Sequence, residues 1–298
     1  MVRKIRVADY TIEVHGSSFA GMMDCSGSFS DFMIDGEADF RVMSAPLSQL
    51  HDIVSEADER YEFSFENVVC RFYECREGIC YTMSEQSICA NGTSPCEADR
   101  YIALHWSYGD DFLTVSDGCK NLSMVRFALW MALNILMIPN KCAAVHSSVN
   151  IFSGEAVMFL GESGTGKSTH TRLLRERYPL MFLLNDDSPF VRVLESGKIM
   201  VYGSPWSGKT PCYKQLHYPL RAMVRLRQAP CNKISRLSPL ASIGALLPSA
   251  PPAFNYVQKM ADMNCDFVSD IVSSVPLYSL ECLPDTAAAE LSFSTVFC

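Results

Sequence analysis

The hydrophobic pattern changes character partway along the chain. Up to about residue 118, apolar and polar positions alternate in short runs, as they do in half-buried strands. "KIRVADYTIEV", "RYEFSFENVVCRFYEC", "GICYTMSE" and "RYIALHWSYGDDFLTV" are rich in β-branched and aromatic residues and predict strands. The polar stretches around Gly16–Gly36 and Ser84–Asp99 predict loops. A continuous apolar segment follows, from Met124 to Ile138. It is short for a bilayer and interrupted by Arg126 and Asn134, so a buried helix ended by Pro139 is expected.

From Lys141 onward the pattern becomes strand, turn, strand, glycine loop, helix, strand. "CAAVHSSVNIF" and "VMFLG" flank the turn "SGEA", and "KSTHTRLLRERY" fits a helix with Leu173 and Leu174 inward. "PLMFLLNDD" is a buried strand that ends in carboxylates, and "YGSPWSGKTPCYKQ" is an irregular loop. A helix near 254–273, the strand "VPLYSLEC" and a helix near 285–296 complete the chain. The expected fold class is α/β (α+β) in two parts. Residues 1–118 form a β-rich domain of unassigned role; residues 119–298 form an α/β domain whose motifs fall within 143–210.

Composition sharpens this only a little. Of 298 residues, 48% are hydrophobic and 19% charged, which describes an ordinary globular chain. The formal net charge of −8 argues against general affinity for nucleic acid or an anionic membrane. The thirteen cysteines include no Cys-x-x-Cys pair, and the run Cys70, Cys75, Cys80, Cys89, Cys96 lacks the usual zinc spacing. With no apolar leader in "MVRKIRVADYTIEVHG", these are expected to be reduced thiols in a cytoplasmic protein.

The chemistry begins at "GESGTGKS", which fits the phosphate-cradling pattern G-x-x-x-x-G-K-[ST]. Gly161, Gly164 and Gly166 let the backbone curl so that its N–H groups surround an anion. Lys167 supplies a point charge for phosphates, and the Ser168 hydroxyl is suited to Mg²⁺. Gly161, Glu162, Ser163, Gly164, Thr165, Gly166, Lys167, Ser168 and Thr169 are the expected nucleotide-binding residues.

Asp186 and Asp187 stand at the exit of the next buried strand, where a carboxylate can hold Mg²⁺. Adjacent side chains of extended backbone point to opposite faces, so the two should divide their roles. One would serve the metal and the other accept a proton; the residues alone leave open which does which. His146 joins them by turn geometry: a hairpin centred near Ser153–Gly154 sets it across from Gly161, at the mouth of the cradle. There it can orient a carboxylate or contact a phosphoryl group. Lys209, on the "SPWSGKTP" loop, is a candidate for neutralising developing charge, with Arg221, Arg225 and Arg227 beyond it.

With these residues in hand, the segment from about Ala143 to Asp187 resembles the catalytic domain of HPr kinase/phosphorylase. That family has a histidine, a strand hairpin, a Gly-rich Lys-Ser loop and a paired Asp-Asp after the next strand. The phosphoenolpyruvate carboxykinases share a similar loop and a related Asp-Asp. The resemblance implies a P-loop domain of that superfamily, with a mixed sheet flanked by helices. It implies in-line transfer from ATP, with Mg²⁺, to a serine-type hydroxyl, and assembly into a homo-oligomer. By analogy Asp186 would be the base, supported by His146, while Asp187 and Ser168 would hold the metal. The chain departs from the family at Ser147, where glycine is usual, and has no Glu-x-Arg-Gly-Leu-Gly stretch. The acceptor is therefore expected to be some other hydroxyl-bearing protein, peptide or metabolite. Two alternatives stand beside the kinase: a regulator that binds ATP or ADP without phosphotransfer, and a simple ATPase.

Overall fold

The structure is a computed structural model that describes residues 1–86, 98–208 and 210–297. It is a mixed α/β protein of two compact units. The first comprises Met1–Pro139 with Ala253–Ala261, the second Asn140–Pro252 with Asp262–Cys298.

The first unit is built on a sheet of β1 (Val2–Val7), β2 (Tyr10–His15), β3 (Phe40–Ala45), β4 (Asp58–Phe65), β5 (Val68–Glu74), β6 (Gly78–Glu85), β7 (Tyr101–Ser107) and β8 (Phe112–Ser116). Their order is β1-β2-β3-β8-β7-β6-β5-β4. β3 runs parallel to both its neighbours, and the remaining pairs are antiparallel. Each hydrophobic run with a turn residue inside it becomes a hairpin. Ala8 and Asp9, both at positive φ, make the two-residue turn between β1 and β2.

Helices α1 (Ser17–Cys25), α2 (Leu47–Ser55) and α3 (Leu122–Met137) accompany this sheet. Gly16–Gly36, expected to be loop, instead holds α1 and a short 3₁₀ segment, Gly27–Phe32. The reason lies far away in sequence. The Asp117 carboxylate accepts from the backbone N–H groups of Ser17 and Ser18 at 2.6 and 2.8 Å, capping α1 from another element. Those bonds hold the Asp117 pKa down at about 2, although burial pushes it upward.

α3 starts at Asn121, whose side chain accepts from Met124 N, and buries Val125, Leu129, Ala132 and Leu136. With the turn after it, this segment is long and apolar enough by composition to cross a membrane, yet most of it is buried within the fold. The helix packs on α1 and β7, so the boundary of the unit falls after α3, at Pro139, and not near residue 118. Residues 253–261 complete the unit. Phe254 meets Phe72 edge-on, and Tyr256 stacks on Tyr61 with ring centroids 3.6 Å apart.

The second unit contains β9 (Cys142–Ala144), β10 (Ser147–Phe152), β11 (Glu155–Leu160), β12 (Phe182–Asp187), β13 (Phe190–Val193), β14 (Ile199–Tyr202), β15 (His217–Gln228), β16 (Lys233–Arg236) and β17 (Leu277–Cys282). The order is β12-β10-β11-β15-β14-β13-β9, with β17 beside β15 and β16 beside β17. β11, β15 and β17 run parallel, which requires the crossovers that carry helices. Those helices are α4 (Lys167–Arg177), α5 (Pro239–Leu246) and α6 (Gln258–Ser274, begun in the first unit), and α7 (Thr286–Phe297) follows the last strand. Val157, Phe159, Val224 and Leu280 from the strands meet Leu174 of α4 and Ala289 of α7 in one core. Leu174 is buried as the helical pattern predicts, while Leu173 lies half-covered at its edge.

Candidate functional site

Strand register assembles the site. β10 lies between β11 and β12, and its first residue, Ser147, opposes Leu160 on one side and Asp187 on the other. His146, one residue earlier, is thereby level with Gly161 and next to the Asp-Asp pair. The hairpin has the register expected from its Ser153–Gly154 turn, where both residues have positive φ.

After β11 the chain curls into α4. Gly161, Gly164 and Gly166 all have positive φ. A Cβ on Gly161 would lie 2.5 Å from Thr165 Oγ1, so only glycine fits that position. Thr165 tightens the curl by donating its hydroxyl to Glu162 O at 2.8 Å. No side chain caps α4, as suits a helix N-terminus that receives an anion. The Lys167 ammonium donates to Gly161 O at 2.7 Å and lies 2.9 Å from His146 Nε2. Burial lowers its pKa, and Asp187 and Asp186 oppose that fall.

The two aspartates have different neighbours. The Ser168 hydroxyl lies 3.1 Å from both carboxylate oxygens of Asp186, whereas His146 Nδ1 lies 3.3 Å from Asp187. Alternation along β12 turns Asp186 toward α4 and leaves Asp187 to the histidine. Asp187 has a φ of 139°, an unusual backbone for a non-glycine residue and one that its surroundings must hold in place. Burial raises its pKa, but the hydrogen bond and charge of His146, with help from Ser188 and Lys167, bring the net value below the ordinary carboxylate range.

What holds this turn is a buried network that sequence reasoning missed. Asn185, fully buried, donates to Trp206 O at 2.9 Å and accepts from Ser188 N at 3.0 Å. Ser204 donates to Ser188 O at 2.6 Å. Gly208 N donates to Asp186 O, and a Cβ there would sit 3.2 Å from that of Asp187. The irregular 203–208 loop is thus tied to the aspartates by its backbone. An Asn beside a carboxylate pair was the only signal available in the sequence.

The remaining candidates separate. Lys209 lies outside the described residues. Arg221 is committed to Glu155 and to Val296 O. Arg225 donates to Ala245 O and reaches Glu162 at 3.8 Å; Arg227 lines the same cavity as Glu162 and Thr165. His146, Ser163, Gly164, Gly166, Lys167, Ser168, Thr169, Asp186, Asp187 and Gly208 surround one cavity of about 330 Å³. A second, of about 590 Å³, shares Gly164, Gly166 and Thr169 and is walled by Leu226, Gln228, Ala229, Leu283 and Pro284. The Ser168 hydroxyl and Asp186 carboxylate are hard oxygen donors beside the glycine loop, a donor set that fits Mg²⁺.

No family model matches the chain, and no curated protein matches it. Among solved structures 44 chains match, including the Hpr(Ser) kinase/phosphatase from Coxiella burnetii. That protein is 12% identical with a TM-score of 0.31, over 51% of this chain and 87% of its own. A likeness of this degree fixes neither fold nor activity.

Proposed function

We propose that the chain is an ATP- and Mg²⁺-dependent kinase that transfers the γ-phosphoryl group to a serine-type hydroxyl of a protein, peptide or metabolite. One observation carries this reading: of two adjacent carboxylates at a phosphate loop, one meets the Ser168 hydroxyl and the other meets His146. A nucleotide-binding module needs only the first.

Mg²⁺ held by Ser168 and Asp186 would supply positive charge to the phosphate oxygens. Lys167 adds its own charge from the loop. Asp187 stays ionised at neutral pH and accepts the proton of the attacking hydroxyl, while His146 orients it. As the acceptor oxygen bonds to the γ-phosphorus, the bond to the β–γ bridging oxygen breaks, and ADP leaves with that electron pair. The more apolar neighbouring cavity is of a size to take the nucleoside.

The test is incubation of the protein with γ-labelled ATP, Mg²⁺ and fractionated cell extract, beside Asp187→Asn. Label transferred to a component in an Asp187-dependent way supports the reading. No label above the variant in any fraction overturns it.

A further inference from the structure

The first unit holds a second group of chemistry-bearing side chains. Cys80 on β6 is paired directly with Tyr73 on β5 and His105 on β7. Side chains alternate along a strand, so Cys75, two residues past Tyr73, comes to the same face. The hairpin closes there, with Cys75 N donating to Gly78 O at 2.9 Å. The Cys75 and Cys80 sulfurs are 3.1 Å apart, and one imidazole nitrogen of His105 lies within 4.8 Å of both. Among the described residues, no other trio of His, Cys, Asp or Glu converges in this way.

We propose that Cys75, Cys80 and His105 bind a zinc-type divalent ion. With Zn–S near 2.3 Å and Zn–N near 2.0 Å, a tetrahedral ion holds its ligand atoms roughly 3.5–3.8 Å apart. The sulfurs, at 3.1 Å, would part by about 0.6 Å to take the ion, and the imidazole nitrogen lies within 4.8 Å of both. A disulfide would need the sulfurs at about 2.0 Å and would give His105 no part. Two thiolates neutralise a divalent charge in this largely buried place, so the bound ion brings no net charge into the sheet. Cys80 is buried, while Cys75 and His105 are half-exposed, which leaves a route for entry and for water as the fourth ligand. The ligand spacing, four residues and then twenty-four, matches no local zinc motif because the sheet and not a loop brings the ligands together. Bound there, the ion ties three adjacent strands.

The experiment is titration of the reduced, chelator-stripped full chain with Co²⁺, followed by competition with Zn²⁺. One equivalent should give thiolate-to-cobalt charge-transfer absorption in the near ultraviolet, and Zn²⁺ should abolish it. Cys75→Ser and His105→Gln should each weaken binding at least about tenfold, whereas Cys25→Ser, at an exposed thiol, should not. Thermal melts of the metal-free variants identify any that lose the fold, and His105→Gln decides the matter if Cys75→Ser does. Absence of the band, its persistence in both ligand variants, or a Cys75–Cys80 disulfide with no metal uptake after reduction would each overturn the proposal.

Discussion

Ser168 and Asp186 meet hydroxyl to carboxylate at 3.1 Å, a contact between the first turn of α4 and the end of β12. It gives the two neighbouring aspartates unequal positions, and that inequality can be measured.

Asp186→Asn is expected to weaken Mg²⁺-dependent nucleotide binding by about tenfold or more, because it removes a charged ligand from the proposed metal site. Asp187→Asn should leave binding nearly unchanged and lower transfer by about 10²–10⁴, the usual contribution of a general base. Titrating fluorescent ATP with and without Mg²⁺, alongside label transfer, separates the two. Equal loss of binding in both variants would contradict the assignment.

His146 acts on Asp187 in a definite direction. Its hydrogen bond and charge lower the aspartate's pKa, so His146→Gln should raise it. The acid limb of the pH–rate profile then moves to higher pH, and the loss of rate is greatest at acid pH. A profile that merely drops in height, with its limb in place, would leave His146 with no such influence.

His170 should govern stability between pH 6.5 and 4. It is buried against Ser292 of α7, and burial lowers its pKa to about 4. Below pH 6.5 the unfolded chain takes up a proton that the folded chain refuses. Stability therefore falls from pH 6.5 down to about 4, by at most on the order of 3 kcal/mol, and this contribution changes no further below that. Urea melts of wild type and His170→Gln across this range should diverge in slope.

Asp117→Ala should cost about 1 kcal/mol by uncapping α1. The folded pKa of Asp117 lies below its unfolded value, so its stabilisation is complete above about pH 4 and is lost as pH falls through about 2. Chemical denaturation of the variant, with its acid limb compared to wild type, checks both statements.

How far the sequence could be read follows from the range of each interaction. The glycine loop and its hairpin were legible because their determinants are local: positive-φ positions at a turn, and a glycine pattern between strand and helix. Apolar strands were legible from alternation, and α3 from its continuous apolar run. α1 was not, because its cap belongs to Asp117, a hundred residues on. Nor was the pairing of His146 with Asp187, which depends on how two carboxylates emerge from a strand whose last residue has an unusual φ. The network of Asn185 and Ser204 is tertiary throughout.

The stacking of Tyr256 on Tyr61 also sets an order of events during synthesis. Eight strands of the first unit leave the ribosome before the aromatic pair that covers Tyr61 and Phe72 has been translated. A nascent chain stopped at Pro139 would lack Phe254 and Tyr256, and the second unit's glycine loop must be made before those two rings can join the first unit.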